Sequence, residues 1–166
     1  MNVFEYAMQM ELDGRAYYEK MAGQADNASI KSILLELAQD EVKHYTIFKK
    51  FSQGDFSGAE EMKASGTRVL QNAKNVFQQI AKDKKDYSFA ADTRETWKKA
   101  QEIEKKSEDF YREKAAAEND DKIKATLNLI ADEEHKHWAL IEHVIQFLDR
   151  PEQWLEDAEW NHLDEY

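Results

Sequence analysis

Two Glu-x-x-His motifs, Glu41 with His44 and Glu134 with His137, are the residues of this chain best suited to hold a metal ion. On a helix, a three-residue step puts both side chains on one face a turn apart, so a carboxylate and an imidazole nitrogen can meet at one point. A lone glutamate in the helical segment before each pair, Glu11 and Glu104, completes two similar sets. Six oxygen and nitrogen ligands with open positions left over suit iron or manganese better than closed tetrahedral zinc.

An internal repeat relates the two sets. At an offset of 93 residues, positions 7–51 lie over 100–144 without a gap, and eleven of the 45 are identical. Glu11 falls on Glu104, Tyr18 on Tyr111, Glu41 on Glu134 and His44 on His137. Apolar periodicity without internal proline predicts long helices over 2–25, 28–51, 92–118 and 121–148, with breaks at Asp26-Asn27 and Asn119-Asp120. Asp92, with Glu95 three residues on, signals the start of the third, and Pro151 stops the fourth. The fold class is therefore expected to be all-α, an antiparallel four-helix bundle of two repeated hairpins, 2–51 and 92–148. A long crossover over 52–91, glycine-rich at first and then carrying a short helix, joins them. The bundle domain is expected over 1–150, followed by an acidic, tryptophan-containing tail over 151–166.

Steps of three and four trace the inward seam of each helix. The first reads Phe4, Ala7, Glu11, Gly14, Tyr18, Met21, and the second runs from Ile30 through Glu41 and His44 to Phe51. The third reads Trp97, Ala100, Glu104, Ser107, Tyr111, and the fourth runs from Ile123 through Glu134 and His137 to Leu148. Every seam is apolar at its ends and carboxylate-bearing in the middle. Four glutamates converging inside a bundle repel one another and lose their hydration, and no Lys or Arg occupies a seam position to offset them. Two divalent cations carry the matching charge, and His44 and His137 supply one neutral nitrogen to each.

Other residues have plainer readings. Tyr18 and Tyr111 are either core residues or hydroxyl donors to a ligating carboxylate. Gly14 and Ser107 either leave an access pocket beside the metals or permit close helix packing. His135 and His143 lie off the seam and are expected at the surface. A third motif, Glu159-x-x-His162, has no repeat partner and is not expected to bind metal. The four Trp are expected in packing or at an interface.

Composition narrows the function further. A chain of 166 residues fits one domain, and 5 Gly with 1 Pro is too little punctuation for a strand-rich fold. A net charge of −11 repels phosphate backbones and anionic lipids, so neither nucleic acid nor a membrane surface is an expected partner. With no cysteine, thiolate metal sites, disulfides and cysteine nucleophiles are excluded. The N-terminal MNVFEYAMQMELDGR reads as neither signal peptide nor membrane span, and a cytoplasmic location is expected.

The motif set Glu11, Glu41-x-x-His44, Glu104, Glu134-x-x-His137 resembles the rubrerythrin group of the ferritin-like superfamily over nearly all of residues 1–148. That resemblance implies a carboxylate-bridged di-iron site, with manganese or a mixed pair as alternatives, in which the same six residues bind metal and carry the chemistry. It implies reduction of hydrogen peroxide or dioxygen at the diferrous centre, and a homodimer or higher homo-oligomer, in some members with exchanged helices. Full-length rubrerythrins add a rubredoxin-like iron domain held by four cysteines. This chain has none, so its electrons are expected from a separate donor such as a rubredoxin-like protein. Rubrerythrins also place a further glutamate one turn after the third-helix ligand; here Ser107 stands there, and the adjacent Glu108 reaches the site only if the helix is distorted. A ferroxidase or iron-sequestering protein is the alternative function, and a metal-free interaction bundle a third; a dimer favours the first reading and a multi-subunit shell the second.

Overall fold

Side chains that satisfy exposed backbone amides set where the long helices begin. Asn2 accepts from the Glu5 N–H while the Glu5 carboxylate accepts from the Asn2 N–H, a reciprocal cap that opens α1, Val3–Gln24. Asn27 accepts from Ser29 and Ile30 to open α2, Ala28–Ser52, and Asp120 accepts from Lys122 and Ile123 to open α6, Asp121–Asp149. In the computed structural model, which describes residues 2–64, 66–83 and 91–156, these helices and α5, Ala91–Ala117, form an all-α ferritin-like bundle. Helix α1 packs along α2, and α5 along α6, as the two predicted hairpins.

The crossover differs from expectation: its described residues contain two helices, α3 (Gly58–Ala64) and α4 (Val69–Asp83). The glycines that read as breaks have local work to do. Gly54 adopts a φ of 80°, the left-handed turn that ends α2. A Cβ on Gly58 would sit 3.0 Å from Ile47 Cγ2, so any larger residue would force Ile47 on α2 to give by a few tenths of an ångström. On α4, Val69, Leu70, Ala73, Phe77 and Ile80 recur at helical spacing and are all buried.

Two apolar clusters form the core and leave a polar layer between them. One gathers Tyr18, Leu34, Leu37, Trp97, Ile141 and Val144 with the buried face of α4. The other gathers Ala7, Phe48, Phe51, Tyr111, Leu127 and Ile130 with Met62 of α3. The tail begins as a short helix, α7 (Pro151–Glu156). It buries Trp154, whose ring stands 4.5 Å from that of Phe77. This covering corrects the expectation for His143, which is buried and faces Trp154 at 6.0 Å, whereas His135 is exposed as expected. Glu159 and His162 lie outside the described residues. Among the described residues no helix is long and apolar enough to cross a membrane.

Candidate metal centre

The polar layer is where the four seams meet. Glu11 comes from α1, Glu41 and His44 from α2, Glu104 from α5, and Glu134 and His137 from α6. All six are buried, none more than 4% exposed. Their donor atoms fall into two overlapping groups, Glu11, Glu41, His44, Glu134 and Glu41, Glu104, Glu134, His137, each with its atoms within 4.8 Å of one another. Glu41 and Glu134 belong to both groups and are positioned to bridge. Glu11 with His44, and Glu104 with His137, belong to one group each. The two imidazoles face across the layer with ring centres 6.0 Å apart and planes 20° from parallel.

Both histidines present Nδ1 to the cluster. His44 Nδ1 lies 2.8 Å from Glu134 Oε1 and 3.4 Å from Glu11 Oε2; His137 Nδ1 lies 3.2 Å from Glu104 Oε1 and 3.3 Å from Glu41 Oε1. Their Nε2 atoms are held from outside by carboxylates that can only accept. His44 Nε2–H donates to Glu133 Oε2 at 3.1 Å, and His137 Nε2–H donates to Asp40 Oδ2 at 2.9 Å. That fixes ring orientation and turns Nδ1 towards the carboxylates of the cluster. Each acid holds the histidine of the other hairpin. Reading the seams alone passes over Asp40 and Glu133, which sit one residue off them. The available signal was the repeat itself, because the 93-residue offset also aligns Asp40 with Glu133, each just before a motif glutamate.

The tyrosines take the donor reading. Tyr18 donates to Glu104 Oε1 and Tyr111 to Glu11 Oε1, again across the hairpins. Burial, reinforced by those carboxylates, pushes both phenols well above their ordinary range, so they stay protonated. Gly14 serves close packing: a Cβ there would lie 3.0 Å from Glu41 Oε2. Ser107 is buried at the equivalent place on α5. Helix α5 runs without interruption through Glu108, whose carboxylate is held by His135 at 3.2 Å and approached by Arg112 at 3.8 Å. Glu108, itself buried, is thus engaged by two more exposed side chains, His135 and Arg112.

The electrostatics of the layer call for cations. Burial, then the neighbouring glutamates, drive Glu41 and Glu134 well above the usual carboxylate range. Burial alone would lower His44 and His137, but the carboxylates around them outweigh it and raise both well above 6.5. Burial likewise opposes ionisation of Asp40, yet His137 and Thr67 bring it down to about 2. Among the described residues no Lys or Arg contacts the four glutamates. Glu11 Oε2, Glu41 Oε1, His44 Nδ1, Glu104 Oε2 and Glu134 Oε1 are buried with no partner in good hydrogen-bond geometry, although His44 Nδ1 stands 2.8 Å from Glu134 Oε1 and His137 Nδ1 3.3 Å from Glu41 Oε1. Buried polar atoms are rarely left so, and these five all belong to the six candidate ligands. The donor set fits a pair of metal ions.

No curated protein matches the chain, and no solved structure does. The family model described as Rubrerythrin matches residues 2–145. With that match over most of its length, and a buried carboxylate and histidine cluster at the level of the repeated motifs, the chain belongs to the rubrerythrin family.

Proposed function

We propose that the protein is a di-iron oxidoreductase of rubrerythrin type that reduces hydrogen peroxide or dioxygen with electrons from a separate donor, such as a rubredoxin-like protein. The observation that carries this reading is the pair of overlapping, fully buried carboxylate and histidine groups at the centre of the bundle. Two bound iron ions would supply the two electrons that, with two protons, convert hydrogen peroxide to two waters. Glu11 and His44 would hold one ion, Glu104 and His137 the other, and Glu41 and Glu134 would span both. Tyr18 and Tyr111 keep their protons and steady Glu104 and Glu11 while charge at the centre changes. A homodimer is the expected assembly, in the cytoplasm, with neither nucleic acid nor membrane as partner.

The test is anaerobic loading with ferrous iron followed by mixing with peroxide. The expected result is rapid oxidation seen by absorbance, recovery with an added reductant, and loss of both in Glu41→Ala and Glu134→Ala. Absence of turnover with any reductant would contradict it. Iron oxidation and sequestration is the second reading, supported by the net charge of −11, which attracts ferrous ions. A multi-subunit shell on sizing would favour it over a dimer.

A further inference from the structure

One residue of the crossover touches both carboxylates that hold the histidines. The Thr67 hydroxyl donates to Asp40 Oδ2, the oxygen that also accepts from His137 Nε2–H. The Thr67 backbone N–H donates to Glu133 Oε1 at 2.6 Å, while the other oxygen of that carboxylate, Oε2, accepts from His44 Nε2–H. The Thr67 oxygen in turn accepts from the Val69 N–H at 3.2 Å, which anchors the residue at the start of α4. A continuous path of hydrogen bonds therefore runs His137, Asp40, Thr67, Glu133, His44, closing over the outside of the centre.

We infer that Thr67 is a positioning residue, a clasp by which the crossover fixes both outer carboxylates and, through them, the direction of both imidazoles. The inference takes its functional meaning from the di-metal reading above. Its physical basis is independent of it. Lys43 Nζ reaches the other Asp40 oxygen, Oδ1, only at 3.5 Å and from an exposed position. The Thr67 hydroxyl is therefore the short second contact that stops that carboxylate turning about its side-chain bonds, and the Thr67 N–H does the same for Glu133. Asp40 also lines an open cleft of about 450 Å³, with Glu36, Lys43, Arg68 and Asn72 around it. Without the hydroxyl, water from this cleft would take its place on Asp40.

The clasp treats its two arms differently, which makes it testable. Asp40 is held by a side chain and Glu133 by the backbone, so Thr67→Val removes the first contact and keeps the second. Thr67→Ser keeps both. The first measurement uses metal-free protein labelled with 15N at histidine and reads solvent exchange of the two buried ring N–H signals. In the unsubstituted chain and in Thr67→Ser both signals are expected to persist, and in Thr67→Val only that of His137 should broaden or vanish. The second measurement is titration with Co(II). Thr67→Val should weaken one of two binding steps about 10-fold, the lower end of the usual effect of removing an outer hydrogen-bond partner, and leave the other unchanged within about twofold. Ring signals that stay unaltered in Thr67→Val, or that are lost together from both histidines, would overturn the inference, as would Thr67→Ser behaving like Thr67→Val. If the unsubstituted chain takes up no Co(II), the di-metal reading falls, and the ring signals still decide on Thr67.

Discussion

The hydroxyl of Tyr111 on α5 donates to the carboxylate of Glu11 on α1, a contact spanning 100 residues of chain between the two hairpins. Tyr18 and Glu104 make the mirror contact. Each hairpin therefore lends a donor to the carboxylate of the other, and the centre is braced by the same pairs that join the halves of the bundle. Tyr18→Phe and Tyr111→Phe should each destabilise the metal-free protein by about 1–3 kcal/mol, the cost of stranding a buried partner. Tyr111→Phe should cost more than Tyr18→Phe, because Glu104 Oε1 keeps His137 Nδ1 at 3.2 Å when the Tyr18 hydroxyl is removed. Denaturant unfolding of both variants checks this.

Asp40→Asn and Glu133→Gln keep the size of the outer acids but lose the charge that holds each imidazole. Metal affinity should fall about 10- to 100-fold in each. Direct titration with ferrous iron under anaerobic conditions measures it, and the losses should fall on different ions, since Asp40 serves His137 and Glu133 serves His44.

Gly14→Ala separates stability from metal binding. Alanine in mid-helix gains about 0.5–1 kcal/mol over glycine. The added methyl meets only the mobile end of Glu41, at 3.0 Å from Oε2. The metal-free variant should melt at or above the parent temperature while binding metal more weakly, because Glu41, a member of both ligand groups, is displaced. Calorimetry with and without metal reports both effects.

The pH dependence follows from proton counts. Glu41 and Glu134 are raised above 4.5 by burial and neighbouring glutamates. His44 and His137 are raised above 6.5 by the carboxylates that outweigh their burial. In both cases the folded chain keeps protons that the unfolded chain has released, so stability falls as pH rises past those values. Asp40, Glu104 and Glu133 are lowered despite burial, so their contribution is complete above 3.8 to 4.5 and is lost on acidification. The metal-free protein should therefore melt highest near about pH 5 and progressively lower towards about pH 8. Metal displaces those protons, so its affinity, and the stabilisation it brings, should increase over the same range. A calorimetric pH series on both forms tests the opposite slopes.

Much of this architecture is legible in the chain because it is periodic. Helix seams are local, and the 93-residue repeat places Glu11, Glu41, His44 and their counterparts at one level without any knowledge of the packing. Asp40 and Glu133 escape a seam reading because a one-residue step turns about 100° round a helix, towards the neighbouring element. Thr67 escapes it because its contacts, with residues 40 and 133, depend on where the crossover lands. The same holds for His143, which looks like a surface residue until α7 folds back and covers it with Trp154. Helix α3 is short and glycine-led, and it forms because Met62 finds the apolar cluster beside Phe51 rather than through its own propensity.

If paired cations neutralise this buried layer, the iron content per chain must show it. Protein loaded anaerobically with ferrous iron and freed of excess should retain roughly two ions per chain, one for each overlapping ligand group, and the Glu41→Ala, Glu134→Ala double variant should retain almost none. Iron far below one per chain in the unsubstituted protein, or full retention in the double variant, would mean that the buried layer is not a metal centre.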